Sequence, residues 1–92
     1  MELLAKRLLL AGDPARLMIL CLLFEGEKVC VSEISKELGM SVAVASHHLR
    51  SLAKAGLLEP VREGKRVCYS FRISRFNAGL KRLICRSAGK ID

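Results

Sequence analysis

Hydrophobic residues recur at helical spacing along most of this 92-residue chain and change to strand spacing after Gly56. A short first helix is predicted over Leu3 to Ala11. A second helix is predicted over Pro14 to Phe24, with Asp13 as its cap and Pro14 as its first residue. This second helix is apolar on nearly every side, so we expect it to be central and buried.

Two further helices are predicted with only a short turn between them. The first of the two begins at Ser32 and ends at Gly39, because glycine adopts the left-handed conformation that terminates many helices. Ser41 caps the next helix, which continues to about Ala55 and closes at Gly56. The apolar positions of the first of these helices share one face: Val31, Ile34 and Leu38.

A β-hairpin and a final helix complete the predicted order α-α-α-α-β-β-α, a mainly α fold with a β-hairpin. The strands are Leu57 to Arg62 and Arg66 to Ile73. In the second strand the alternation predicts a buried face of Val67, Tyr69, Phe71 and Ile73, and an outer face of Arg66, Cys68, Ser70 and Arg72. The last helix begins near Ser74, and its apolar stripe is Phe76, Leu80, Leu83 and Ile84.

The third and fourth helices have the arrangement of a helix-turn-helix, a motif that places its second helix in the DNA major groove. At about 100° per residue, Ala45, Leu49 and Leu52 of that second helix face the core. The opposite stripe is small, polar or basic along its length. It supplies candidate contacts to base edges or phosphates, with Lys54 assigned to the DNA backbone: Ser41, Ala43, Ser46, His47, Arg50 and Lys54. The alternative is an ordinary solvated helix face.

The hairpin tip carries three cations around Gly64: Arg62, Lys65 and Arg66. A projecting basic hairpin directly after a helix-turn-helix is typical of the wing of a winged helix, where it contacts phosphates or the minor groove. The sequence therefore predicts a single winged helix-turn-helix domain over residues 1–92.

Charge supports a nucleic-acid partner. The net charge is +7, and it is concentrated in residues 41–92, which hold eleven basic and three acidic residues. The alternative is a soluble surface with spare lysines. Aromatic residues make up only 4% of the chain, which disfavours a base-stacking surface. No apolar run is long enough to span a bilayer and no signal peptide is recognisable, so we expect a cytoplasmic protein with no membrane partner.

The residue types that commonly catalyse reactions or bind metals do not occur here in a pattern suited to either role. The four cysteines, at positions 21, 30, 68 and 85, include no CxxC pair, and in the cytosol we expect them to be reduced. His47 and His48 are neighbours whose side chains point about 100° apart on a helix, so they do not readily share an ion. His48 lies at the edge of the core, where a structural hydrogen bond is expected. We predict no catalytic residues, no cofactor and no enzymatic activity.

Two stretches resemble the ArsR/SmtB family of small winged-helix transcriptional repressors: GDPARLMILCLL and VSEISKELGMSVAVASHHLRSLAKAGLLEPVREGKRVCYSF. The similarity extends over about residues 3–85. It implies a homodimer formed by the first and last helices, bound to a palindromic site in double-stranded DNA and released by an inducer. The amphipathic last helix agrees with such pairing.

The chain departs from the metal-sensing members of that family. Where many members have a Cys-x-Cys pair, this chain has Cys30 and Ser32, and residues 74–92 contain no histidine. Another subgroup senses oxidants or reactive sulfur with one cysteine in the second helix and one in the last, and Cys21 and Cys85 occupy roughly those places. Cys21, however, projects from an apparent core face, and Cys85 lies off the apolar stripe. A thiol switch, a metal-responsive repressor, a small-molecule-responsive repressor and a winged-helix protein–protein interaction module all remain open.

Overall fold

A computed structural model describes residues 12–25 and 28–87, with the side chains of residues 76 and 85–87 left out of the description. The predicted first helix, Leu3 to Ala11, lies outside the described residues. The elements, in chain order, are α1 (Pro14–Glu25), β1 (Val29–Cys30), α2 (Val31–Leu38), α3 (Val42–Lys54), β2 (Leu58–Glu63), β3 (Arg66–Phe71) and α4 (Arg75–Ser87). The predicted winged helix-turn-helix architecture is confirmed, with the addition of β1.

Side chains cap three of the helices where the sequence placed their starts. Asp13 Oδ1 accepts hydrogen bonds from the backbone N–H groups of Ala15, at 2.8 Å, and Arg16, at 3.2 Å. Ser41 Oγ accepts from the backbone of Val44 at 3.1 Å. Ser74 Oγ accepts from the backbone of Asn77, also at 3.1 Å. Each bond satisfies a backbone donor that the first helical turn leaves unpaired.

The predicted start of α2 at Ser32 is wrong by one residue, because β1 leads directly into the helix and Cys30 occupies the cap position. The backbone N–H of Cys30 donates to Glu33 Oε1 at 2.8 Å, which fixes the strand-to-helix corner. At its other end, α2 stops at Gly39, whose φ of 67° is the left-handed conformation the sequence predicted.

The sheet has three antiparallel strands in the order β1-β3-β2, so β3 lies in the middle. The two long strands pair from Leu58 with Phe71 to Glu63 with Arg66. Gly64 takes a φ of 62° in the two-residue turn between them. Strand β1 is only two residues long, and its Cys30 pairs with Cys68 of β3. Strand β1 was not predicted, because two residues carry no periodicity.

The predicted faces of the last strand are partly wrong. Cys68 was placed on the outer face, yet it is fully buried, because it lies in the central strand between Cys30 and Val61. Val67 and Ile73 were placed on the buried face, yet both are exposed, and Ile73 lies beyond the end of β3. The expectation of four reduced cysteines is also contradicted: Cys30 and Cys68 form a disulfide in this structure.

The core fills the space between α1, the helix-turn-helix and the sheet. Its fully buried side chains include Ile19, Leu20, Ile34, Leu49, Leu52 and Leu57. Asn77, also buried, joins α4 to this body: its Nδ2 donates to the backbone oxygen of Gly56 at 3.0 Å and to that of Arg72 at 2.7 Å. Leu80 and Ile84 of the predicted α4 stripe are buried, whereas Leu83 is exposed and the Phe76 side chain is outside the described part.

Candidate nucleic-acid interface

Helix α3 is oriented by three residues that are fully buried under its inner face: Ala45, Leu49 and Leu52. Their burial fixes the rotation of the helix, so the opposite stripe must face solvent. The structure places the predicted contacts on that stripe: Ala43, His47, Arg50 and Lys54 are exposed, and Ser46 is half-buried. The predicted exposure is therefore confirmed, while the predicted contact with DNA stays a prediction.

The first turn of α3 presents more exposed side chains than the sequence predicted. Ser41 is exposed, and although its Oγ accepts the capping bond from Val44, the hydroxyl hydrogen can still donate to a phosphate. Val42 and Val44 were not singled out, yet they are 56% and 46% exposed. Recognition helices contact bases mainly through their N-terminal residues, and valine methyl groups can pack on the methyl group of thymine. The sequence feature that could have indicated these two residues is their position directly after the helix cap, as apolar residues that do not lie on the core face.

His48 is separated from this stripe, as its position at the edge of the core predicted. Arg16 Nε of α1 donates to His48 Nδ1 at 3.0 Å, so this nitrogen must be unprotonated. Burial, followed by the nearby charge of Arg16, lowers the pKa of His48 below its ordinary value of 6.5. His48 therefore links α1 to the recognition helix, and His47 alone faces outward.

This lowered pKa predicts a pH effect on stability. As the pH falls below about 6.5, the unfolded chain takes up a proton on His48 before the folded chain does, so the free energy of unfolding falls. We expect His48→Gln to lose less stability than the parent chain between about pH 7 and pH 5. Thermal or urea denaturation across this range measures it, and equal losses in both proteins would contradict the assignment.

The cations of the wing differ in whether they form ion pairs with the body of the domain. Glu63 forms an ion pair with Lys28, and this hydrogen bond lowers the pKa of the Glu63 carboxyl group. Arg66 Nη2 lies 3.7 Å from Glu33 Oε1, a long and exposed contact. Both contacts attach the hairpin tip to the body of the domain. Arg62 and Lys65 are exposed and form no ion pair within the described part of the chain, so they are the wing cations most available to phosphates.

A groove of about 530 Å³ lies between α3 and the wing. Arg50 and Ser46 line it from the recognition helix, and Arg66 and Val67 line it from β3. In the sequence, Arg50 and Arg66 belong to separate candidate contact elements, and the fold places them on the same groove. The helix stripe and the wing thus meet at one groove, which carries a positively charged side chain from each element.

The two candidate sensing cysteines lie away from this surface. Cys21 is half-buried on α1 and lines an apolar groove of about 690 Å³ together with Leu83 and Ile84 of α4. The side chain of Cys85 lies outside the described part of the chain. Between residues 12 and 25 and between 28 and 87, no three His, Cys, Asp or Glu side chains form a group that could hold a metal ion. None of the helices described here is long and apolar enough to cross a bilayer.

Comparison with known proteins finds relatives of this chain among transcriptional regulators. Residues 13–59 match the model of the family "Bacterial regulatory protein, arsR family". The chain is 31% identical over 77 residues to the HTH-type transcriptional regulator YgaV of Escherichia coli, covering 80% of this chain and 78% of that protein. It is 49% identical over 53 residues to the uncharacterized HTH-type transcriptional regulator MJ1325 of Methanocaldococcus jannaschii; this match covers 58% of the chain and 60% of that relative.

The fold matches solved structures as well. One is the homodimeric winged helix-turn-helix DNA-binding domain of Mb0332 from Mycobacterium bovis, with a TM-score of 0.82 and 31% sequence identity, covering 97% of this chain and 81% of that one. The similarity extends beyond the residues of the family match and includes the wing and α4.

Proposed function

Because this chain belongs to the arsR family of bacterial regulatory proteins, we propose that it is a transcriptional repressor that binds a specific operator in double-stranded DNA. The observation that carries the proposal is the shared groove: Arg50 of the recognition helix and Arg66 of the wing line the same basic surface. Such a surface can read base edges with the helix and hold the phosphate backbone with the wing.

The residues divide between these two tasks by their positions. Ser46, His47 and Arg50 lie on the exposed stripe of α3 and supply donors for base edges, while Val42 and Val44 supply apolar contacts. Ser41 and Lys54, at the two ends of the helix, and Arg62, Lys65 and Arg66, on the wing, are assigned to phosphates. Ala43 is small and permits close approach of the helix to the groove.

We further propose that the repressor is a homodimer on a palindromic operator. The apolar groove between α1 and α4 is lined by Leu17, Met18, Leu22 and Leu83, and Met18 and Leu83 are exposed. An apolar surface of this kind on a small domain favours a protein partner. A second copy would cover it, and two-fold symmetry would then require two matching half-sites in the DNA. The homodimeric Mb0332 domain is consistent with this arrangement.

The wing supplies a test of phosphate contact. With Cys30 and Cys68 joined as in this structure, replacing both Lys65 and Arg66 by alanine should reduce the slope of log Kd against log salt by roughly two units per protomer. Each lost phosphate contact lowers the number of released counterions by about 0.9. Fluorescence anisotropy with an operator duplex at several salt concentrations measures the slope. The double variant Lys36→Ala/Lys81→Ala is the matched control for charge, because neither lysine lines the groove. An unchanged slope in the wing variant would remove the wing from the interface.

For release of the repressor we propose oxidation or persulfidation of Cys21 and Cys85. Cys21 lies on the groove between α1 and α4, beside Leu83 and Ile84. Cys85 directly follows Ile84 in the sequence of α4. A disulfide or polysulfide bridge between α1 and α4 would change how these helices pack, and α4 is joined through Asn77 to the end of the recognition helix and the end of the wing.

The response of DNA binding to thiol reagents tests this release mechanism. We expect organic polysulfide to abolish selective operator binding by the parent chain, and reductant to restore it. The double variant Cys21→Ala/Cys85→Ala should keep its selective operator binding after treatment. Loss of binding in both proteins would move the response to other cysteines, and retention in both would direct the search to metals or small molecules.

A further inference from the structure

Cys30 and Cys68 are the two cysteines that the proposed function does not use, and the fold brings them together. They lie 38 residues apart in sequence and pair directly across β1 and β3, where the structure joins them in a disulfide. Their positions connect the two DNA-binding elements. Cys30 caps α2, the first helix of the helix-turn-helix, and Cys68 lies in the central strand of the wing sheet.

We propose that Cys30 and Cys68 form a reversible redox pair whose disulfide holds the wing in place beside the recognition helix. The effect on DNA binding rests on the proposed function, whereas the redox pair itself does not. The chemical partner is a low-molecular-weight disulfide, of the glutathione class. The Cys30–Cys68 pair differs from the proposed Cys21 and Cys85 switch in its location, and it controls the wing rather than the packing of α1 and α4.

The environment of the two sulfur atoms fits such an exchange. Cys68 is 0% exposed and Cys30 is 3% exposed, and Cys30 lines the groove between α3 and the wing. A small reagent entering that groove reaches Cys30 first. Arg50 and Arg66 line the same groove, so an anionic disulfide is attracted into it. Burial of Cys68 protects the second position from separate modification.

The exchange proceeds in two balanced steps. The thiolate of Cys30 attacks one sulfur of the small disulfide, forming a mixed disulfide and releasing one small thiolate. The thiolate of Cys68 then attacks Sγ of Cys30 and displaces the second small thiolate. The two cysteines lose two electrons and two protons, and the small disulfide is reduced to two thiols. Reduction by excess small thiol is the same sequence in reverse.

The bond matters for the tip of the wing, because Leu58 and Tyr69 bury the base of the wing in the core whereas the tip has no buried side chain of this kind. Strand β1 is two residues long, and the ion pairs that attach the hairpin tip, Lys28 with Glu63 and Arg66 with Glu33, are exposed and sensitive to salt. A covalent link from Cys68 to the cap of α2 does not depend on salt. Without it, the part of β3 between Tyr69 and the hairpin tip keeps these ion pairs and the β1 pairing on the side of the helix-turn-helix.

The experiment uses the full chain with Cys21→Ala and Cys85→Ala, so that only Cys30 and Cys68 remain. The protein is equilibrated in glutathione buffers from fully reduced to fully oxidised. Reactive thiols are counted after quenching and denaturation, and the melting temperature is measured in each buffer. We expect the count to fall from two to zero in one two-electron transition, and the melting temperature to rise by about 10 °C or more on oxidation.

Operator binding is measured on the same samples. In the oxidised protein, we expect the change Lys65→Ala/Arg66→Ala to reduce the salt slope. In the reduced protein, we expect the slope to be lower from the start and this change to alter it little. The same chain with Cys30→Ala and Cys68→Ala added should not respond to glutathione in any measurement. If that variant does not fold, reduction of the two-cysteine protein supplies the same comparison.

Two results would overturn the proposal. One is a thiol count of two at every glutathione ratio, which would show that the pair does not form under exchange. The other is a disulfide that forms while the melting temperature and the salt slope stay constant. If the protein binds no operator at all, the thiol count and the melting temperature still decide the redox pair, so failure of the proposed function is distinguishable from failure of this inference.

Discussion

Replacement of Arg50 by alanine is expected to weaken binding to the specific operator by about 1–3 kcal/mol, or roughly 5- to 150-fold, and to weaken binding to unrelated DNA much less. The physical reason is position. Arg50 is exposed on the outward stripe of α3, lines the groove shared with the wing, and forms no ion pair within the residues that the structure describes. Its guanidinium group is therefore available for bidentate contact with a guanine edge.

Competition anisotropy with operator and scrambled duplexes at one salt concentration measures this difference. Lys81→Ala is the matched control, because it removes one positive charge from α4, where Lys81 Nζ lies 5.6 Å from the centre of the Phe24 ring, and not from the groove. An equal loss on both duplexes would identify Arg50 as a phosphate contact, and no loss on either would exclude Arg50 from the interface.

The largest expected effect on stability comes from Ile34→Ala, which should lower the free energy of unfolding by about 2–5 kcal/mol. Ile34 is fully buried on α2, within the core cluster that also contains Ala45 and Leu49 of α3. Its truncation leaves a cavity between the two helices of the DNA-binding motif. Because the rotation of α3 depends on that packing, operator binding should also decline in the remaining folded protein.

Urea denaturation of the variant and the parent chain measures this change. Ile73→Ala is the matched control: the same atoms are removed from a side chain that is 83% exposed, so a change within about 0.5 kcal/mol is expected. Similar losses in the two variants would contradict the assignment of Ile34 to the core.

Local rules were sufficient to predict the helices and the recognition stripe. Asp13 and Ser41 form their caps with backbone hydrogen bonds, and Gly39 takes the left-handed conformation that ends α2. The rotation of α3 followed from helical periodicity, because Ala45, Leu49 and Leu52 recur on one side. These features depend on contacts within a few residues, so the sequence carries them directly.

The predictions from sequence that were wrong or incomplete concern contacts between segments that are distant in the chain. Strand β1 exists because two residues pair with the middle of β3, and no local pattern indicates such a pairing. That pairing buries Cys68, which alternation alone had placed on an outer face. The groove shared by Arg50 and Arg66 likewise depends on how the wing docks against α3. The sequence supplied the candidate residues of the site but not their proximity.

The most direct test of the central claim is fluorescence anisotropy of the full chain with a duplex from its own upstream region, titrated in the presence of scrambled competitor DNA. We expect selective binding, about a thousandfold or more tighter than to the scrambled duplex, that weakens steeply as salt is raised. Equal affinity for both duplexes, or no binding to either, would contradict it and would favour a winged-helix module that binds other proteins.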